Sequence, residues 1–131
     1  MNSPAKDICT MLEAESALGL VFATNLFVDV EPTTPVDCVT VYDTGGMPPQ
    51  LTMNADEIYE YPAVQIRVRN SKYDTGWTLA DNIKNLLHGR ARETWGGALY
   101  SLIACSNGPL SIGQDETNRA CIVVNLNLQR R

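Results

Sequence analysis

Histidine is nearly absent from this 131-residue chain, with His88 alone, and the four cysteines, Cys9, Cys38, Cys105 and Cys121, form no C-x-x-C pair. A zinc site therefore has little to build on. No apolar run approaches the roughly 20 residues that span a bilayer. The opening residues, Met1 to Asp7, lack the charged-then-apolar order of a signal peptide. Use inside a cell, or in a particle assembled there, is the expectation, with buried free thiols rather than disulfides. P-loop, G-x-G-x-x-G and metalloprotease patterns are missing, as are internal repeats and low-complexity tracts.

What is present points to a folded domain. Apolar residues make up 44% and charged residues 19%, a globular balance, and the length fits one domain over 1–131. Basic residues are scarce in the first half. Residues 1–60 hold ten of the fifteen acids and one base, Lys6, whereas residues 61–131 hold five acids and nine bases, so balances of −9 and +4 make up the net −5. The simpler reading is that the halves pack together within one subunit. The sharper reading is that an acidic face of one copy meets a basic face of the next, a head-to-tail contact that can close a ring.

Residues 3–18 read as a helix with Ser3 as cap, Pro4 in the first turn, Ile8, Met11, Leu12 and Leu18 on one side, and Gly19 as stop. Leu20–Val30 reads as a strand closed by Glu31-Pro32. Asp37–Asp43 reads as a second, ended by Gly45-Gly46. From Gly46 to Tyr61, with Pro48-Pro49 and little periodicity, the expectation is a long exposed loop that reaches another molecule. Pro62–Asn70 alternates, with Val64, Ile66 and Val68 facing one way and Gln65, Arg67 and Arg69 the other.

Tyr73–His88 is the strongest helix, capped by Asp74 or Thr75 and stopped by Gly89, with Trp77, Ala80, Ile83 and Leu87 toward the core. Residues 90–97 read as a connector, Ala98–Cys105 as a strand, and Asn107-Gly108-Pro109 as a turn. Ala120–Gln129 reads as the last strand. The order implies an α+β domain: a single mixed or antiparallel sheet of about four to five strands, with two main helices packed on it and a long exposed loop.

Asp-Thr-Gly, the tripeptide of aspartic proteases, occurs at 43–45 and 74–76, and that chemistry needs two close carboxylates sharing a proton. A turn for the first copy and a helix cap for the second account for both without catalysis. His88 lies where a histidine bonds terminal helix carbonyls. Arg67 and Arg69 suit ion pairs, within the chain or between copies, better than phosphate, since the pI is near 4.7. The C-terminal pair Arg130-Arg131 reads as solvated.

Four segments in order carry a family resemblance: Val39–Gly46 (VTVYDTGG), Pro48–Met53 (PPQLTM), Tyr61–Arg69 (YPAVQIRVR), and the helix ending Leu86-Leu87-His88-Gly89. Together they resemble the phage minor capsid protein family that is similar to tail terminator (head–tail junction) proteins of long-tailed phages. The resemblance implies a non-enzymatic virion subunit with no catalytic residues and no cofactor, assembled in the host cytoplasm. Its copies would form a ring, usually of six, that caps the tail tube and meets the neck connector, with no membrane partner. DNA would pass through without specific binding. The residues then expected at subunit contacts are Gln65, Arg67, Arg69, Pro48, Pro49, Leu51 and Met53, the two arginines pairing with acids of the adjacent copy. The rival readings are a head-completion, stopper or connector protein of the neck and, from a different class, a small aspartic protease.

Overall fold

A computed structural model describes residues 2–49 and 59–131. Helix α1 spans Pro4–Ala14, and the Ser3 hydroxyl accepts the Lys6 amide at 3.2 Å as the sequence leads one to expect. It ends earlier than the apolar pattern implies. A 3₁₀ turn, Ser16–Leu18, follows, and Gly19 closes it in the left-handed region at φ 68°.

The strands are β1 (Leu26–Val28), β2 (Cys38–Asp43), β3 (Ala63–Asn70), β4 (Glu93–Trp95), β5 (Ala98–Cys105), β6 (Leu110–Gln114) and β7 (Ala120–Arg130). Helix α2 (Tyr73–Leu87) lies between β3 and β4. The sheet runs β1-β2-β3-β7-β5-β4, with β6 also on β7. Only the β1–β2 pair is parallel. The class is α+β with a mixed sheet, but the sheet has seven strands where four to five were expected.

The extra strands have identifiable causes. Leu20–Val30 is not one strand. Ala23 takes φ 67°, and the Asn25 side chain accepts the Val21 amide at 2.7 Å while its backbone amide reaches Val21 O, so a tight turn leaves only Leu26–Val28 extended. The supposed connector at 90–97 holds β4, paired to β5 through a turn at Gly96-Gly97. A further strand, β6, follows the Asn107-Gly108-Pro109 turn.

β7 is the spine. β3 covers one side of it from Ala120 to Asn127. A strand has two edges, so β5 (opposite 126–130) and β6 (opposite 120–123) lie end to end along the other. In the lower half, Phe27, Thr40, Arg67, Val123 and Leu110 form one row across β1, β2, β3, β7 and β6. β1 and β6 are its opposite edges.

Both helices pack on one face. Val39, Val41, Val64, Ile66, Val68, Ile122, Val124 and Leu126 are buried there against Ile8, Met11 and Leu12 of α1 and Ala80, Ile83 and Leu87 of α2. On α2 the buried stripe begins at Gly76, whereas Trp77, expected in the core, is 39% exposed. A Cβ on Gly76 would sit 3.0 Å from Asn70 Cβ and 3.3 Å from Ile122 Cδ1, so the missing side chain lets α2 approach the sheet closely. No helix among the described residues is long and apolar enough to cross a membrane.

Candidate subunit interface

The face turned away from the helices carries the predicted contact residues of β3, and most of its lower half is covered by its own chain. Segment 31–37 folds across it as a strap. Arg69, 3% exposed, donates to Val36 O at 3.0 Å and through Nη2 to the carbonyls of Pro32, Pro35 and Thr33, while its Nη1 lies 3.6 Å from Glu31. Arg67 lies 3.4 Å from the same glutamate and donates to Cys121 Sγ at 3.3 Å. Arg119 adds a bond to Thr33 O at 3.0 Å. The acid that both β3 arginines meet is thus Glu31 of their own chain. Buried cations with several fixed acceptors hold a loop firmly, since each lost partner would leave a desolvated group.

Gln65, half-buried, donates to Asn125 at 3.1 Å across β3 and β7. Pro48 and Pro49 are exposed at the end of a short extension in which Met47 bridges Tyr61. Leu51 and Met53 lie outside the described residues, as does most of the Gly46–Tyr61 loop. The structure therefore brings Gln65, Arg67 and Arg69 together on β3 and sets the prolines at another part of the surface.

A second polar cluster escaped sequence reading. Arg130, predicted to be solvated, is 7% exposed. It reaches Glu60 at 2.9 Å, Asn2 O at 3.0 Å and the Tyr100 hydroxyl at 3.2 Å, and lies 3.7 Å from Asp7. Tyr100 donates to Asp7. Burial, reinforced by that bond to a carboxylate, pushes the Tyr100 phenol above its ordinary range. The cluster ties α1, the approach to β3 and the end of β7 together. The acidic first half and the basic second half thus meet inside the subunit, through Glu31 with Arg67 and Arg69 and through Asp7 and Glu60 with Arg130.

The two Asp-Thr-Gly copies do not form a dyad. Asp43 is opposite Val64 near the start of β3, and Asp74 follows Asn70 at its far end, about 20 Å away at ~3.3 Å per strand residue. Asp43 instead accepts the Ala5 amide at 2.9 Å, satisfying a free N-terminal donor of α1. Asp74 sits within the first turn of α2 and is not its cap, nor is Thr75; the residue before the helix, Lys72, has its amide held by Asn70 at 2.9 Å. His88 accepts the Cys105 amide at 2.9 Å rather than bonding helix carbonyls. The four cysteines are free thiols, three of them buried. Burial pushes Cys9 up to about 12, far from the range of a reactive thiolate. Among the described residues no group of three or more His, Cys, Asp or Glu is placed to hold a metal ion.

Comparison with known proteins gives this geometry its context. A solved chain from the virion of a native gene transfer agent particle superposes with a TM-score of 0.69 at 12% identity, covering 97% of this chain and 93% of that one. Another solved chain matches with a TM-score of 0.55 at 14% identity, over 96% of this chain and 89% of the other. At these identities the likeness is one of fold. No curated protein matches. The family model for bacteriophage tail terminator protein matches residues 8–131, so the chain belongs to the bacteriophage tail terminator family, whose members are structural proteins of the virion tail.

Proposed function

We propose that this protein acts as a single terminator domain whose copies, six by family resemblance, close into a ring that caps the tail tube and joins it to the neck. The match over residues 8–131 carries the reading. In this role the protein works by shape and contact, without catalysis or a cofactor. The loop segment with Pro48, Pro49, Leu51 and Met53 contacts the adjoining tube or neck ring, and Gln65 with the half-buried Arg67 lies at the edge of a contact face. DNA slides through without specific binding, because a chain of net charge −5 offers it few phosphate contacts.

Particles made without this protein test the role by electron microscopy. Tails of uncontrolled length are expected. Full-length tails lying beside unjoined heads would assign the protein to head completion or connection instead. A strictly monomeric protein that is also absent from virions would exclude both.

A further inference from the structure

Among the exposed apolar residues of the described chain, two groups lie at opposite edges of the lower sheet. At one edge all five residues of β6 are exposed, and Leu110 and Ile112 show 51% and 50% of their surface. Among the described residues its outer side pairs with no strand, since β4 continues β5 and not β6. At the other edge, Phe22 and Val30 flank β1 at 50% and 68% exposure, joined by Val21 at 51%. The Phe22 side presents on the order of 300 Å² of apolar surface, the scale at which a patch on a lone chain marks an interaction site, and Leu110 with Ile112 add about 180 Å² on the other.

The two edges differ in kind, and the difference decides how they meet. β1 closes its own edge: the Ala23 amide takes Leu26 O at 2.9 Å and the Val30 amide takes Val28 O at 2.8 Å. Both outward carbonyls of β1 are thus already taken, which makes this edge a poor template for a further strand. Beside Phe22, however, a groove of about 380 Å³ opens against α1, lined by Lys6, Cys9, Thr10 and Glu13. β6 offers protruding side chains and β1 offers a recess. An apolar projection on one part of a molecule and a matching recess elsewhere make a head-to-tail contact, the kind that generates rings.

We infer that Leu110 and Ile112 of one copy seat in the Phe22 groove of the next. The inference rests on the reading of this chain as a ring subunit and names the contact that closes the ring. With both outward carbonyls of β1 taken, side-chain burial supplies most of the affinity at this joint. Covering both patches removes about 480 Å² of apolar surface, roughly half of the 900 Å² of apolar area in a standard 1,600 Å² interface. Neighbouring polar residues supply the rest.

The test uses two variants, Leu110→Lys/Ile112→Lys on the projection and Phe22→Lys/Val30→Lys on the recess, with light scattering of each alone and of the mixture. All four positions are half exposed or more, so thermal melts should stay close to the parent. If the parent assembles, each variant alone is expected to self-associate at least about tenfold more weakly, the effect of losing a central anchor. The mixture should stop at pairs, because one variant keeps a good recess and the other a good projection. Full assembly by either variant overturns the inference and leaves the ring reading intact, and so does one variant dimerising alone.

If the parent is monomeric in solution, Phe22→Cys/Leu110→Cys protein that also carries Cys105→Ser is incorporated into particles and treated with a short bis-maleimide. A ladder of linked copies, absent with either single cysteine, supports the contact. Protein present without a ladder refutes it, and protein absent from particles removes the ring reading itself.

Discussion

Replacing Arg69 by methionine should unfold the strap before anything else. The side chain keeps an apolar stem but loses the guanidinium, and with it its charge and every donor. Three backbone carbonyls, of Pro32, Pro35 and Val36, then lose their donor, and Thr33 O keeps only Arg119. Glu31, whose side chain is 15% exposed, keeps only Arg67 as counter-charge. Removing one partner of a buried pair costs about 3–5 kcal/mol, and the freed carbonyls do not raise that figure, because residues 33–37 are exposed and water can reach them. With an unfolding entropy of about 2.1 cal/mol/K per residue, 4 kcal/mol lowers Tm by roughly 15 °C for a chain of this size. Urea melts followed by circular dichroism read the same loss as a midpoint about 2 M lower, for m near 2 kcal/mol/M.

Two companions separate the contributions. Arg69→Lys keeps the charge but reaches fewer acceptors, and should lose about half as much. In Arg69→Met combined with Glu31→Gln, the residual acid no longer needs a partner, so part of the loss returns as a coupling of about 1–2 kcal/mol. A drop below about 1 kcal/mol for Arg69→Met would refute the clamp, because a buried fork with four acceptors cannot be that cheap to remove.

Gly76→Val should cost about 1–3 kcal/mol by chemical denaturation, since α2 cannot keep its approach to Asn70 and Ile122 with a branched side chain between them. Asp43→Ala should lower stability by about 1 kcal/mol through the lost acceptor at the start of α1, while peptide hydrolysis assays should read the same for variant and parent. Stability should fall as pH rises past about 10: the folded Tyr100 keeps its proton where the unfolded chain releases it, so its contribution is complete below the unfolded pKa and is lost as pH climbs through the raised folded one. Tyr100→Phe should flatten that part of the pH profile. In maleimide labelling of the native protein Cys105 should react first, and Cys9, Cys38 and Cys121 only on unfolding.

Much of the fold was legible where pattern and packing coincide. β3 alternates because one face is core and the other polar, and Val64, Ile66 and Val68 are fully buried. The limits of β5, Ala98–Cys105, were read from sequence to the residue. Reading failed where backbone geometry, and not side-chain pattern, sets the outcome. Ala23 in the left-handed region marks the turn before β1, and alanine carries no turn signal. β4 is too short for periodicity, and Gly113 interrupts β6. Trp77 was assigned to the core because an apolar residue attracts that reading, while Gly76, which is there, contributes none.

The candidate contact face was legible only as polar. That segment 31–37 would fold over it, and consume both arginines, depends on a long-range closure no local window contains. Arg130 was misread for the same reason. Its partners, Asn2, Asp7, Glu60 and Tyr100, lie far apart in sequence, and only the finished fold gathers them.

The position of β7 as spine has a consequence for synthesis. During translation β3 emerges with β2 on one edge and nothing on the other, and stays so until residues 120–127 follow some fifty residues later. β5 and β6 wait for the same strand. The centre of the sheet is therefore joined late, through contacts of large sequence separation, which slows folding. Until then the nascent chain carries open β-edges that invite mispairing. In the proposed ring this order keeps an unfinished subunit from engaging its neighbours, since the projection on β6 has no frame to stand on until β7 is in place.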